Sequence, residues 1–219
     1  MTTTAIKTML AQLGEGMLIS MLIYVFTIIG AVPLALPLAF ARMGKSRVVR
    51  AVSAAYISVM RGTPLMLQLL VVYFGPWYIF RIEISTSYKL WAVVIAFILN
   101  YAAYFAEIYR AGIESIPVGQ REAAAVLGYT RSQTFFRIIM PQVVKRILPP
   151  MTNEAITLIK DTSLAFAIGV MEMFTFAKQI SSAQRSMLPL AAAAIFYYVF
   201  NAVIAWALSR AERALSYYR

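Results

Sequence analysis

A few charged residues sit where charge is expensive. Arg61 lies inside one long apolar run, and Glu154, Lys160 and Asp161 lie inside another. At about 100° per residue, Asn153, Glu154, Thr157, Lys160 and Asp161 fall within an arc of about 120° on a helix. Ionisable groups in such runs face a bundle interior or an aqueous cavity. Their chemistry is ion pairing and hydrogen bonding, which suits a polar solute better than bond making. Arg61 or Lys160 can meet a carboxylate, Arg through a bidentate fork, and Glu154 or Asp161 can meet an ammonium. The competing reading is structural: adjacent Lys160 and Asp161 pair with each other or across a subunit interface.

Thr63 and Gln68 add hydrogen-bonding groups beside Arg61. Arg61 and Gln68 are seven apart and share a face if their helix is continuous. Gly62 and Pro64 argue against continuity, since Pro lacks an N–H and restricts Thr63 to extended backbone. Broken helices at membrane depth are tolerated where they line a cavity, and they commonly build substrate sites. A second polar stripe, Asn100, Tyr104 and Glu107, precedes Arg110, and a helix-end ion pair between Glu107 and Arg110 is expected.

Other chemistries lack their residues. There is no Cys and no His, so thiol nucleophiles, thiolate metal sites and the commonest acid–base residue are missing. Hydrolytic or metal-dependent catalysis is disfavoured, and no metal site is expected. Gly44-Lys45-Ser46 matches the end of a phosphate-binding loop. The loop's first Gly would fall at Ala39, inside an apolar segment with no preceding strand. This chain is therefore not expected to bind ATP.

The elements that must position these groups are membrane helices. The chain is 61% hydrophobic and 13% charged with mean hydropathy +0.73, outside the range of soluble domains. About 20 apolar residues cross the hydrocarbon core. Residues 17–41, 52–74, 90–108, 150–171 and 188–208 meet that requirement. The fold class is an all-α integral membrane protein of five spans, a single domain over 1–219. The first span is too long for a signal-peptide core and has its basic cluster after it, so it is expected to be retained.

The net charge of +11 follows the topology. Arg42, Lys45, Arg47 and Arg50, the loop from Arg110 to Arg146, and the tail with Arg210, Arg213 and Arg219 all fall on one side. Lys7, Arg81, Lys89, Lys178 and Arg185 fall on the other. The richer side should be cytoplasmic, placing the N-terminus outside and the C-terminus inside. Nucleic-acid binding is disfavoured by the same distribution. Tyr73, Phe74, Trp77, Tyr78, Phe80 and Trp91, and at the other end Trp206, Tyr217 and Tyr218, suit headgroup depth. No internal repeat is evident, which weighs against inverted-repeat secondary transporters.

The longest polar-rich segment, about 110–146, contains a short helix signal. Pro117 can open it and Gly128 can close it. Ala123, Ala124 and Ala125 between them give helix propensity with little bulk. Gln120, Arg121 and Glu122 offer polar contacts. From the residues alone, a partner's docking helix and a plain interfacial helix on the lipid surface are both open.

The run Glu122-Ala123-Ala124, with Gly128 and then Ile138, Met140 and Pro141, resembles the EAA loop of bacterial ABC-importer permeases. Arg61-Gly62-Thr63-Pro64-Leu65 with Gln68, and the run 100–108, resemble the histidine/glutamine/arginine-type subfamily. So do Ser115-Ile116-Pro117 with Gly119-Gln120, Leu148-Pro149-Pro150 with Asn153, and Lys160-Asp161-Thr162-Ser163-Leu164. Met140 departs from the usual Leu, and Pro33 and Pro37 inside the first span are unusual and expected to kink it.

The resemblance implies the permease subunit of an amino-acid importer. It assigns the short helix to ATPase coupling through Gln120, Glu122, Ala123, Ala124 and Gly128. It implies a substrate path over Arg61, Thr63, Gln68, Asn153, Glu154, Thr157, Lys160 and Asp161. It also implies two permease chains, alike or paralogous, a cytoplasmic ATPase pair that holds the ATP and Mg, and an extracytoplasmic amino-acid-binding protein. The location implied is the bacterial cytoplasmic membrane, with no enzyme activity in this chain. The alternatives are an ion-coupled secondary transporter, which leaves the Ala-rich loop idle, and a non-transporting scaffold.

Overall fold

The computed structural model describes residues 3–214, which form helices and no strand. Tyr217, Tyr218 and Arg219 of the basic, aromatic tail lie outside the described residues. The order is α1 (Thr3–Met43), α2 (Arg47–Gly62), α3 (Leu65–Phe80), α4 (Tyr88–Glu114), α5 (Val118–Val126) and α6 (Arg131–Gln133). A π-helical stretch, Thr134–Ile139, leads into α7 (Met140–Asp161). A 3-10 stretch, Thr162–Ile168, then precedes α8 (Met173–Gln184) and α9 (Leu188–Ala214).

Among the described residues three helices, α1, α4 and α9, are long and apolar enough to cross a membrane, and α2 with α3 makes a fourth candidate if the bent pair is one span. Helix α4 is the hub. It packs against α1, α2, α3 and α7 and buries Phe97, Tyr101 and Phe105 along its length. Small residues of α1, namely Ala31, Ala35 and Ala39, are fully buried in that core at helical spacing. Pro33 and Pro37 lie on the exposed side of α1 between them, and the helix continues through both. Their missing N–H groups therefore fall away from the packed face.

Helix α1 begins well before residue 17, where the sequence places the start of the first span. At 41 residues it is about 60 Å long, twice the thickness of a hydrocarbon core. Its first turns are held by a second apolar cluster, in which Met9, Leu13 and Met17 meet Met173, Ala177 and Ala193. At Gly16 a Cβ would lie 2.6 Å from Met173 Cα and 2.7 Å from its N, so only glycine lets α8 approach this closely.

Two expected spans are not continuous helices. The run 52–74 breaks at Thr63-Pro64, where α2 and α3 meet at 109°. The run 150–171 leaves the α-helix at Asp161 and tightens into the 3-10 stretch. There Thr162 Oγ1 donates to the Ile159 carbonyl at 2.7 Å and Ser163 Oγ to that of Lys160 at 2.7 Å, so hydroxyls compete for the helix carbonyls. Helix α7 starts ten residues before the expected span and carries Lys145, Arg146, Glu154, Lys160 and Asp161. It lacks the apolar length of the three clear spanning helices.

Candidate functional site: a charged cavity beside a broken helix

The break between α2 and α3 is built from its own chemistry. Pro64 has no N–H to give to the carbonyl four residues back, which is Met60. Two side-chain amides replace it: Gln68 Nε2 and Asn100 Nδ2 each donate to Met60 O at 2.9 Å. Gln68 Nε2 also reaches Thr63 Oγ1 at 2.8 Å, while Asn100 Nδ2 donates to Gln68 Oε1 at 2.9 Å. Thr63 Oγ1 in turn donates to Val59 O at 2.8 Å. Thr63 and Gln68, expected along a substrate path, are thus occupied in closing the gap left by proline.

Arg61, one residue before Gly62, takes a different direction. Its guanidinium lies over the Tyr104 ring, 5.3 Å from the centroid. A cavity of about 500 Å³ opens there between α2, α4 and α7, lined by Arg61, Tyr104, Glu107, Arg110, Arg146 and Glu154 among others. At its edge Glu107 accepts from Arg110 Nη2 at 2.7 Å and pairs with Arg42 Nε at 3.7 Å. The expected Glu107–Arg110 pair is therefore present, and Arg42 extends it to α1. Arg110 also binds Glu114. Arg146 Nη1 donates to the Ser115 carbonyl and, at 2.9 Å, to Ser115 Oγ, tying α7 to the end of α4.

The polar arc of α7 divides. Glu154 is half-buried and faces the cavity. Asp161 accepts a 2.7 Å hydrogen bond from Tyr101 Oη, and the Tyr101 ring in turn neighbours Tyr104. Lys160 forms no ion pair with Asp161 and lines another cavity with Ser163, Tyr197, Tyr198 and Asn201. Asn153 and Thr157 are exposed and linked to each other, Thr157 Oγ1 donating to Asn153 O at 3.0 Å.

Sequence reasoning passed over Glu172, which is fully buried. Its carboxylate caps α8, accepting from Phe174 N at 2.8 Å and Thr175 N at 2.7 Å, and it also accepts from Tyr197 Oη at 3.1 Å. Ser20 Oγ of α1 adds a 3.4 Å contact. An acid between Met171 and Met173 was the available signal.

The short helix forms where the sequence places it. Pro117 is its N-cap, and its end is a Schellman closure: Tyr129 N donates to Ala124 O at 3.0 Å and Gly128 N to Ala125 O at 3.0 Å. Gly128 takes φ +78°, a conformation costly for other residues. Gln120, Glu122, Ala123 and Gly128 are exposed, and so are Val126 and Leu127 at 88% and 74%. Ala124 alone is buried, turned toward the chain's own π-helical stretch.

Comparison with known proteins agrees with this architecture. The sequence profile described as "Binding-protein-dependent transport system inner membrane component" matches residues 31–217. The chain is 42% identical to the L-cystine transport system permease protein TcyB of Bacillus subtilis (strain 168) over 170 residues, 78% of this chain and 71% of that one. It is 37% identical to the arginine transport system permease protein ArtQ of the same organism over 202 residues, 92% and 91% of the two chains. A crystal structure of an amino acid ABC transporter with histidines superimposes with TM-score 0.87 at 31% identity, covering 98% of this chain and 99% of that one. The inward-facing MetNI methionine ABC transporter shares the fold, with TM-score 0.74 at 17% identity over 99% and 100% of the chains. The chain belongs to the family of binding-protein-dependent transport system inner membrane components.

Proposed function

We propose that this chain is the permease subunit of an ATP-driven amino-acid importer in the bacterial cytoplasmic membrane. The relatives named for cystine and arginine transport, and the amino acid transporter structure, support the substrate class. The chain crosses five times, through α1, the bent α2–α3 pair, α4, α7 with its 3-10 extension, and α9. The N-terminus is outside and the C-terminus cytoplasmic. Two permease chains, alike or paralogous, pair in the membrane, and an amino-acid-binding protein delivers solute from outside. ATP and Mg belong to the partner ATPases. Arg61 and Glu154 line the substrate path, which continues along α7 toward Asp161, with Asn153, Thr157 and Lys160 on the same helix. Thr63 and Gln68 support it by holding the break.

The observation that carries coupling is α5 itself. A rigidly capped helix on a loop exposes Val126 and Leu127 beside Gln120 and Glu122, with one residue, Ala124, anchoring it to the bundle. Exposed apolar side chains rimmed by polar ones mark a protein interface. Closure of the ATPase pair pushes on α5, and the load passes through the π-helical stretch into α7, which lines the cavity.

The test is a pull-down of the tagged chain from native membranes in mild detergent, followed by an ATPase assay. Recovery of an ATPase that is lost in a Glu122→Lys or Gly128→Pro variant supports the reading. Recovery unchanged by both variants removes the docking role from α5. Uptake into vesicles driven by an ion gradient without ATP selects the secondary-transporter alternative.

A further inference from the structure

Helix α5 has a second face besides the one that exposes Glu122 and Val126. At about 100° per residue, Arg121 lies about 60° from the buried Ala124, whereas Glu122 and Val126 lie about 160° from it on either side. Arg121 is thus turned toward the bundle. With Ala125, Tyr129, Arg131, Thr134 and Phe135 it lines a cavity of about 410 Å³ between α5 and the π-helical stretch. The walls are pinned by local bonds. Tyr129 N donates to Ala124 O at 3.0 Å. Thr130 and Gln133 form a capping box that fixes α6 and with it the backbone of Arg131: Thr130 N donates to Gln133 Oε1 at 2.9 Å and Gln133 N to Thr130 Oγ1 at 3.3 Å. Among the described residues neither Arg121 nor Arg131 forms an ion pair within 4.0 Å. The acids of the same loop are placed elsewhere, Glu114 on Arg110 and Glu122 on the far face of α5.

The cavity lies at the foot of the membrane bundle. Phe135 packs on Phe40 of α1, with ring centroids 5.8 Å apart. Phe40 closes the first apolar run, two residues before Arg42, where hydrocarbon gives way to head groups. Phe40 and the adjoining Phe136 are exposed. Exposed apolar side chains beside arginines make a surface that sits in the headgroup–acyl boundary. Two guanidiniums in one cavity repel each other, and an anion held there offsets that cost. A guanidinium fork matches the oxygens of a phosphate. An acidic protein partner meeting the outer face of α5 would find Glu122 and Val126, not this cavity.

We infer that this cavity binds the phosphate of an anionic phospholipid of the cytoplasmic leaflet, with Arg121 and Arg131 on the phosphate and the acyl chains over Phe40 and Phe136. The choice of leaflet rests on the permease reading, while the phosphate site rests on the two arginines. The cytoplasmic leaflet carries a negative surface that attracts basic segments. A lipid held here tethers α5 to the bilayer by its inward face and leaves its outward face for a partner. The placing of α5 then depends on the charge of the surrounding lipid.

The experiment uses the permease–ATPase complex in mild detergent, nucleotide-free. It is titrated with phosphatidylglycerol, or with phosphatidylcholine for comparison, and the lipid bound per permease chain is counted by native mass spectrometry. The expected result is one phosphatidylglycerol per chain that phosphatidylcholine does not replace. Arg121→Gln and Arg131→Gln each weaken its binding about fivefold, the effect of one basic residue near an anionic surface. Lys at either position retains most of the binding, and Arg47→Gln, at another exposed arginine, changes it less than twofold. Thermal unfolding of each complex separates lost binding from lost folding. Unchanged affinity in both folded Gln variants overturns the site. Displacement of the lipid by millimolar inorganic phosphate assigns the cavity to a free anion and overturns the lipid. Loss of the ATPase from both Gln variants in lipid-depleted detergent assigns the arginines to an acidic partner and overturns it equally. ATP-driven uptake into proteoliposomes with binding protein tests the permease reading separately. Uptake without arginine-dependent lipid binding leaves the importer standing and removes the lipid site. Arginine-dependent lipid binding without uptake of any amino acid supports the phosphate site and overturns the permease reading.

Discussion

Tyr101 Oη donates a 2.7 Å hydrogen bond to Asp161 Oδ2, joining the middle of α4 to the last residue of α7. The two are sixty residues apart, and Tyr101 is 2% exposed. The bond lies where α7 gives way to the 3-10 stretch, so it sets the position of the end of α7. Tyr101→Phe keeps the ring and leaves the carboxylate without its donor. A loss of about 1–3 kcal/mol is expected. Detergent thermal unfolding checks it, and an unchanged midpoint would assign Asp161 to another partner.

The amide pair at the broken helix gives a second expectation. Gln68 and Asn100 share the Met60 carbonyl and bond to each other. Gln68→Ala and Asn100→Ala should therefore be non-additive, with a coupling of about 0.5–3 kcal/mol in a double-mutant cycle. Additive losses would mean that each amide serves the carbonyl independently.

The contact of α1 with α8 predicts a steric effect. Gly16→Ala places a methyl against the backbone of Met173, which cannot rotate away. Overpacking of this kind costs about 1–3 kcal/mol. Glu172→Ala at the same junction removes the α8 cap, for which about 0.5–2 kcal/mol is expected, and it removes the carboxylate to which Tyr197 Oη donates. Both variants should lower the unfolding midpoint while leaving ATPase recovery intact, as read by the pull-down.

The orientation of α5 separates two neighbouring residues. Val126 is exposed and Ala124 is buried against the chain. Val126→Glu should leave stability within about 0.5 kcal/mol, as surface substitutions usually do, yet abolish ATPase recovery. Ala124→Glu buries an unpaired charge and should destabilise the loop first. Limited proteolysis of the segment 115–140 reports that difference. Equal protection in the two variants would contradict the observed rotation of the helix.

Local chemistry is written in the sequence in full. The break at Thr63-Pro64 follows from a missing N–H, the bounds of α5 follow from Pro117 and Gly128, and the Glu107–Arg110 pair follows from a three-residue spacing. Each depends on neighbours along the chain. Partner choice across the bundle does not. Periodicity puts Glu154, Lys160 and Asp161 in one arc but leaves open what each meets. Packing of α4 and α9 against α7 gives Asp161 to Tyr101 and turns Lys160 toward a separate cavity. It leaves Glu154 lining the same cavity as Arg61. The same holds for Ala124, equivalent in type to Ala123 and Ala125 but alone in facing inward. Residues 150–171 are apolar enough to suggest one continuous span, while the hydroxyls of Thr162 and Ser163 take helix carbonyls and turn the backbone into the 3-10 stretch. Composition and spacing determine that the chain is helical, membrane-bound and punctuated at these points. The rotation of each helix about its axis, set by long-range packing, decides which charges meet partners within the bundle and which face a cavity.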